Sequence, residues 1–422
     1  MAFQQGLSGL NSSSKAIDVT SNNIANASTV GFKSGNAQFA DVYASALSGA
    51  STGLQIGIGS TVNAVRQAFT QGNLATSNNP LDLAINGNGF FRMLRTDGSV
   101  AYTRNGQFDI DKNGYIVSAI GDKLTGFPVA SQQGGITVFE GQPGLLRIDN
   151  ANIEPRATQG IGVEVEANLD SREVNPTLKD PPGPAFDGTL VPIPVASYNH
   201  TTSLNVFDSL GNAHSLTFYF VRTDPTVDRT WEVHTSLDGE AATLAGSLVF
   251  NDRGGFDAGA TTALDFSATM TNGAADLDFT MDMSRLTQFG SSFAVTRLIQ
   301  NGYSTGQITG LVTTREGVVQ GRYSNGETKD IGKIALANFT SPNGLISLGN
   351  NLWAESPDSG QPVIGSPGTG VLGVISAGQV EESNVDLTQE LVQLIIQQRN
   401  YQANAQSIRT QDQILQTLVN LR

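Results

Sequence analysis

The 422-residue sequence predicts an α + β multidomain protein: N- and C-terminal helices paired as a coiled-coil domain, with two mainly β domains between them, the outer inserted in the inner. Three observations predict it. All 15 prolines lie between Pro80 and Pro367, and proline breaks helix interiors, so long helices are confined to the two ends. Both ends carry apolar residues at alternating spacings of four and three, the mark of a helix-to-helix seam. The middle consists of short apolar or alternating runs separated by Gly, Asn and Asp turns, which read as hairpins.

At the N-terminus the seam runs Phe3, Leu7, Leu10, Ser14, Ile17, Ser21 and Ile24. It fades into Asn22, Asn23 and Asn26, with Gly31 following, as a helix end should. The helix is placed within 1–30, and 31–70 is expected to be a linker. At the C-terminus, Asp386 is a candidate N-cap with Gln389 three residues on. Beyond it Leu387, Leu391, Leu394, Gln398, Tyr401, Ala405, Ile408, Asp412, Leu415 and Val419 repeat the alternation. A linker and this second helix fill 371–422. The apolar seam positions, Phe3, Leu7, Leu10, Ile17 and Ile24 with Leu387, Leu391, Leu394, Tyr401, Ile408, Leu415 and Val419, are the candidate assembly residues. They are expected to pair the ends with each other and with further copies of the chain. Two helices docked on a domain core would be the ordinary reading, but a narrow stripe backed by Ser, Asn and Gln suits helix pairing better.

Between the ends, Leu83-Ala84-Ile85, Phe90 to Leu94, Tyr102-Thr103-Arg104, Phe108-Asp109-Ile110 and Tyr115-Ile116-Val117 are strand candidates. Asn86-Gly87, Asp97-Gly98 and Asn113-Gly114 punctuate them. These place the first part of an inner β domain at 71–158. An outer β domain is expected at 159–285, around Leu204 to Phe207 and Leu216 to Val221. The run from Ile308 to Leu352 returns to hairpins, so 286–370 is expected to complete the inner sheet, which makes the outer domain an insertion.

Chemistry is scarce in this sequence. A formal charge of −14 makes nucleic acid and anionic membrane poor partners. Both ends are neutral, so the excess acid lies in the β domains. Cysteine is absent, which excludes disulfides and thiolate metal sites. Neither a basic, apolar secretory leader nor a stretch long enough to span a membrane is seen. Asp109-x-Asp111-x-Asn113-Gly114 resembles the start of a calcium loop, but Ile120 stands where the bidentate Glu is needed, so a plain turn is expected. His200, His214 and His234 have no metal-ligand spacing and are expected to be exposed. Gly57-x-Gly59 and Gly87-x-Gly89 do not complete a dinucleotide fingerprint, and Glu164 with Glu166 is too common a pairing to suggest catalysis. No catalytic, cofactor or metal site is expected.

Ser21 to Lys33, including Asn22, Asn23, Ala25, Asn26 and the ending Gly31-Phe32-Lys33, resembles the N-terminal signature of the axial proteins of the bacterial flagellum. Asn86 to Phe91 with Tyr102 to Phe108 is similar to the sheet domain shared by its rod and hook members. Ser383 to Leu387 and Gln398 to Ala405 resemble the C-terminal signature, with Asn400 where many members carry Ala. Within the group, Ser203 to His214 and Gly302 to Ala354 resemble hook subunits, whereas rod subunits are much shorter and lack the insertion. The resemblance implies a non-enzymatic subunit of a curved, hollow homopolymer that passes motor torque to the filament. It implies rod, hook cap and hook–filament junction proteins as partners. Export would run through the type III apparatus without a cleaved signal. A distal rod subunit and, from another class, a secreted β-rich enzyme are the competing readings.

Overall fold

The computed structural model describes residues 2–42, 57, 59–133, 136–149, 152–223, 229–257 and 259–420. The chain divides into two compact units, one made of 1–149, 310–322 and 328–422, the other of 150–309 and 323–327.

The first unit contains both terminal helices, α1 (Ala2–Ala25) and α2 (Leu387–Asn420). Asp386 caps α2: its Oδ1 accepts from the backbone N–H groups of Thr388 (2.9 Å) and Gln389 (3.1 Å), satisfying donors that the first helical turn leaves free. The span 31–70, expected to be a linker, instead carries an antiparallel ladder of β1 (Gly35–Val42) and β2 (Gly59–Gln67). Its residues are mostly small and polar, so no clear apolar alternation marks it. Part of the expected linker 371–386 is likewise in strands. Val374–Ala377 pairs with Leu83–Asn86, and Gln379–Glu381 pairs with Leu74–Thr76.

The larger sheet of this unit joins early and late strands. Phe90–Leu94 lies between Val100–Thr103 and Lys123–Gln133, while Leu336 pairs with Phe91 and Leu352 with Thr103. Its core includes Phe90, Tyr102, Phe339 and Trp353, with Phe69 edge-on to Phe90 and Trp353. Turns form where Asn-Gly and Asp-Gly require them: Gly98 has φ 84° and Gly114 φ 83°. The suspected calcium loop is such a turn. Asp111 Oδ1 accepts from the N–H groups of Asn113 and Tyr115, both at 2.8 Å.

The second unit is a sandwich of two four-stranded sheets. One runs Ala263–Ala268, Leu277–Asp282, Gly160–Asn168, Ala294–Gln300, with a parallel pairing between its two central strands. The other is the antiparallel meander His200–Phe207, Ala213–Arg222, Thr230–Leu237, Thr243–Val249. Inward residues of both sheets, among them Val163, Phe279, Met281, Phe218, Phe220 and Trp231, form one buried core. The unit is wider than the expected 159–285, because Ala294–Gln300 pairs with Gly160–Asn168 and so belongs to the sandwich. Glu164 and Glu166 lie near Arg297 (3.6 Å) and Arg285 (3.8 Å) on its surface.

The histidines correct the expectation of exposure. Each sits on a strand, and the side chains of His214 and His234 are only 15% and 13% exposed. His200 stacks on Phe293, ring centroids 4.4 Å apart. Burial lowers the pKa of His200 and His234. Burial also disfavours the charged form of His214, but hydrogen bonds to Asp238 and Asp208 outweigh it and raise its pKa.

Candidate functional site

The terminal helices run antiparallel in contact, yet α1 does not meet α2 through its expected apolar stripe. The residues of α1 facing α2 and the β1–β2 ladder are Gly6, Gly9, Ser12, Ala16, Thr20 and Asn23, a small and polar stripe beside the apolar seam. A Cβ on Gly6 would come within 2.9 Å of Ile408 Cγ1, and one on Gly9 within 2.8 Å of the Asn404 amide. Small residues therefore admit the close approach. Farther along, Thr20 Oγ1 donates to Gln397 Oε1 (3.1 Å) and Asn23 Nδ2 to Glu390 Oε1 (3.0 Å). The ladder braces the same helix, with Ser12 Oγ donating to Ser60 O at 3.1 Å and Gln5 Nε2 to Gly57 O at 2.7 Å. A cavity of about 290 Å³ remains between α1, β1 and α2.

This rotation decides where the candidate assembly residues point. Ile408 is half-buried and packs over Gly6, so it serves the intrachain pair. Leu10, Ile17, Ile24 and Leu394 are half-buried as well. Phe3 (46% exposed), Leu7, Leu387, Leu391 (48%), Tyr401 and Leu415 remain open, joined by Val392, Ile395, Ile396 and Ile414. The side chain of Val419 lies outside the described residues. The small stripe was visible in the sequence, since Gly6, Gly9, Ser12, Ala16, Thr20 and Asn23 are also spaced by three or four. The search for apolar positions passed over it.

Where the helices meet the sheet, the N-terminal signature resolves into specific contacts. Asn23 imitates a strand partner: its Nδ2 donates to Gly35 O (2.8 Å) and its Oδ1 accepts from Gly35 N (2.9 Å). Asn26 Nδ2 donates to Asn22 O at 2.9 Å, closing the helix end. Gly31 has φ 72°, and a Cβ there would meet the backbone N of Asn105 at 2.6 Å, so glycine is required twice over. Phe32 is half-buried and Ala25 is exposed, without a comparable contact.

Lys33 enters a buried polar knot. Its Nζ donates to Glu381 Oε1 (2.5 Å) and to Thr70 O (2.7 Å), and both charged side chains are 0% exposed. Arg104, 4% exposed, donates Nη1 to Glu381 Oε2 (3.2 Å) and Nη2 to Gly87 O (2.9 Å). Glu381 Oε1 also accepts from Gly72 N (2.9 Å), and its backbone O from Gly31 N (2.7 Å). Burial lowers the pKa of both Lys33 and Arg104, and Glu381 opposes the shift in each. Asn384 adds a tie beside the knot: its Oδ1 accepts from Ser34 N (2.8 Å) and its Nδ2 donates to Ala68 O (2.7 Å). Sequence reasoning named Lys33 but missed Glu381, because nothing local distinguishes it from Glu382.

Such an arrangement holds the two chain ends together. Among the described residues no group of three or more His, Cys, Asp or Glu side chains is placed to hold a metal ion, and no helix is long and apolar enough to cross a membrane.

Family models match in four blocks: the flagella basal body rod protein model over 3–33, the flagellar hook protein FlgE/F/G D1 domain over 84–175, the flagellar basal body protein FlaE D2 domain over 168–303, and the flagellar basal body rod FlgEFG protein C-terminal model over 376–421. The chain is 40% identical to the flagellar hook protein FlgE of Escherichia coli K12, with 100% of both chains covered. The chain belongs to the flagellar hook protein family. The hook protein FlgE of Salmonella typhimurium LT2 is 38% identical, again over 100% of each chain. That of Borreliella burgdorferi is 30% identical over 100% of this chain and 99% of its own. The crystal structure of Helicobacter pylori hook protein FlgE2 shares the fold, with a TM-score of 0.53 at 14% identity, covering 73% of this chain and 100% of that one. The protein is thus a structural subunit of the bacterial flagellar hook, a homopolymeric assembly continuous with rod components, and its place is the flagellum. Hook family membership favours the hook subunit over the competing rod and secreted-enzyme readings.

Proposed function

We propose that this subunit polymerises into a curved hollow tube that acts as a universal joint, and that the outward apolar faces of α1 and α2 are its assembly surface. One observation carries the reading: the helix pair satisfies itself through small and amide side chains, leaving Phe3, Leu7, Leu387, Leu391, Ile395 and Leu415 uncovered. Apolar area of this extent along two helices favours burial against further helices, at about 25 cal/mol per Å² removed from water. Helices of neighbouring copies supply that cover and line the channel. The β domains pack outside the channel-lining helices, where polar, acidic surfaces make yielding contacts. The same reading places rod proteins at one end, cap and hook–filament junction proteins at the other, and export through the type III apparatus without cleavage.

The test is electron microscopy of purified protein, seeded with hook fragments, beside a version lacking 385–422. Curved tubes from the full chain alone are the expected result. Tubes from both versions, or from neither, would sink the assembly role of the helices.

A further inference from the structure

The knot holds two cations and one carboxylate, and the three groups come from different parts of the chain. Lys33 belongs to the segment at the foot of α1, Glu381 to the strand leading into α2, and Arg104 to the β domain itself. We infer that Glu381 makes docking of the two helix feet hierarchical: the foot of α1 seats only when that of α2 is already in place, while the foot of α2 seats without α1.

The asymmetry follows from the charge count. Withdrawing the N-terminal foot removes Lys33 and leaves Arg104 against Glu381, one cation facing one anion, with Gly72 N still donating to the carboxylate. The remaining pair is balanced. Withdrawing the C-terminal foot removes Glu381 and leaves Lys33 and Arg104 in the same interior without their carboxylate. A buried charge stripped of its partner is among the costliest defects a fold can carry, and Lys33 escapes it only by leaving for water. The neutral contacts are shared between the feet: Gly31 N donates to Glu381 O and Ser34 N to Asn384 Oδ1, while Val30 O accepts from Asn351 Nδ2 (2.9 Å) and Ser34 O from Ala68 N (2.8 Å), so the asymmetry rests on the charges. Asn384 also reaches Ala68 and Thr70, which the C-terminal foot keeps when α1's foot is absent.

The test compares hydrogen exchange, resolved by peptide, in the full chain and three variants. Glu381→Gln is expected to speed exchange at least tenfold across 26–36 as well as 379–386. Lys33→Met is expected to leave 379–386 within about threefold of the parent while loosening 26–36. The double variant Lys33→Met, Glu381→Gln removes one of the stranded charges, so it is expected to be better protected across 379–386 than Glu381→Gln alone. If Glu381→Gln does not fold, recovery in the double variant carries the same information. Loosening confined to 379–386 in Glu381→Gln, equal loosening of both feet in Lys33→Met, or a double variant no better than Glu381→Gln would each overturn the hierarchy.

Discussion

The sandwich and the helix pair place their apolar residues in opposite ways. In the sandwich, Phe218, Phe220, Trp231 and Phe279 point inward and are buried by the chain itself. In the helix pair the inner face is Gly6, Gly9, Ser12, Thr20 and Asn23, while Phe3, Leu7, Leu391 and Ile395 face out. One region completes its core alone. The other leaves its apolar area exposed, and holds its own helices together with close approach and amide hydrogen bonds.

Truncation is the strongest way to break that contrast. Phe218→Ala should cost about 3–5 kcal/mol, since it removes a fully buried ring and leaves a cavity. Denaturation followed by Trp231 fluorescence in a Trp353→Phe background measures it, and a loss under 1 kcal/mol would mean the sandwich core is slack. Crowding the small stripe comes next. Gly9→Leu forces a side chain onto Asn404 and should cost about 1–3 kcal/mol, read as an earlier loss of helical circular dichroism on heating. An unchanged melt would show that the two helices separate without penalty.

Truncating the outward face should scarcely touch the monomer. Leu391→Ala with Ile395→Ala is expected to shift its stability by no more than about 0.5 kcal/mol per site, as at other exposed positions. Seeded tube formation should nevertheless fail. Normal tubes from that variant would remove the outward face from the assembly surface.

The smallest effect concerns His214, which bridges Asp238 (2.7 Å) and Asp208 (3.4 Å). Its folded pKa is raised above the ordinary 6.5, so the stability it lends is complete below pH 6.5 and is lost as pH rises through the folded value. NMR titration should place the midpoint of His214 above 6.5 and those of His200 and His234 below it. Three coincident midpoints would show that the bridge does not form in solution.

Much of the architecture was legible because it rests on local signals. Proline placement, the heptad spacings and the Asp-Gly and Asn-Gly turns located both helices and the hairpins around Gly98 and Gly114. Three features escaped. The β1–β2 ladder is too polar for apolar alternation to show, and its partner surface is a helix, not a core. Strand Ala294–Gln300 is largely exposed, so it lacks the pattern of a buried strand although it closes the sandwich. Glu381 escaped because its partners are remote: Arg104 and Lys33 lie 277 and 348 positions away. Heptad spacing also fixes a helix's period without saying which of two neighbouring stripes meets its partner, and that is how the inner face of α1 was misassigned.

Those remote partners carry a consequence for the order in which the chain can close. Lys33 meets a residue 348 positions away, and Asn23 one 367 positions away, whereas every strand of the sandwich lies within 150–309. A chain delivered from one end can therefore form the sandwich from a contiguous stretch and settle it early. The joint between its two ends has to wait for almost the last residue. Loop closure over such a distance is entropically costly, and it comes as the final step. The joint between the two termini is thus the part of the fold that stays open longest.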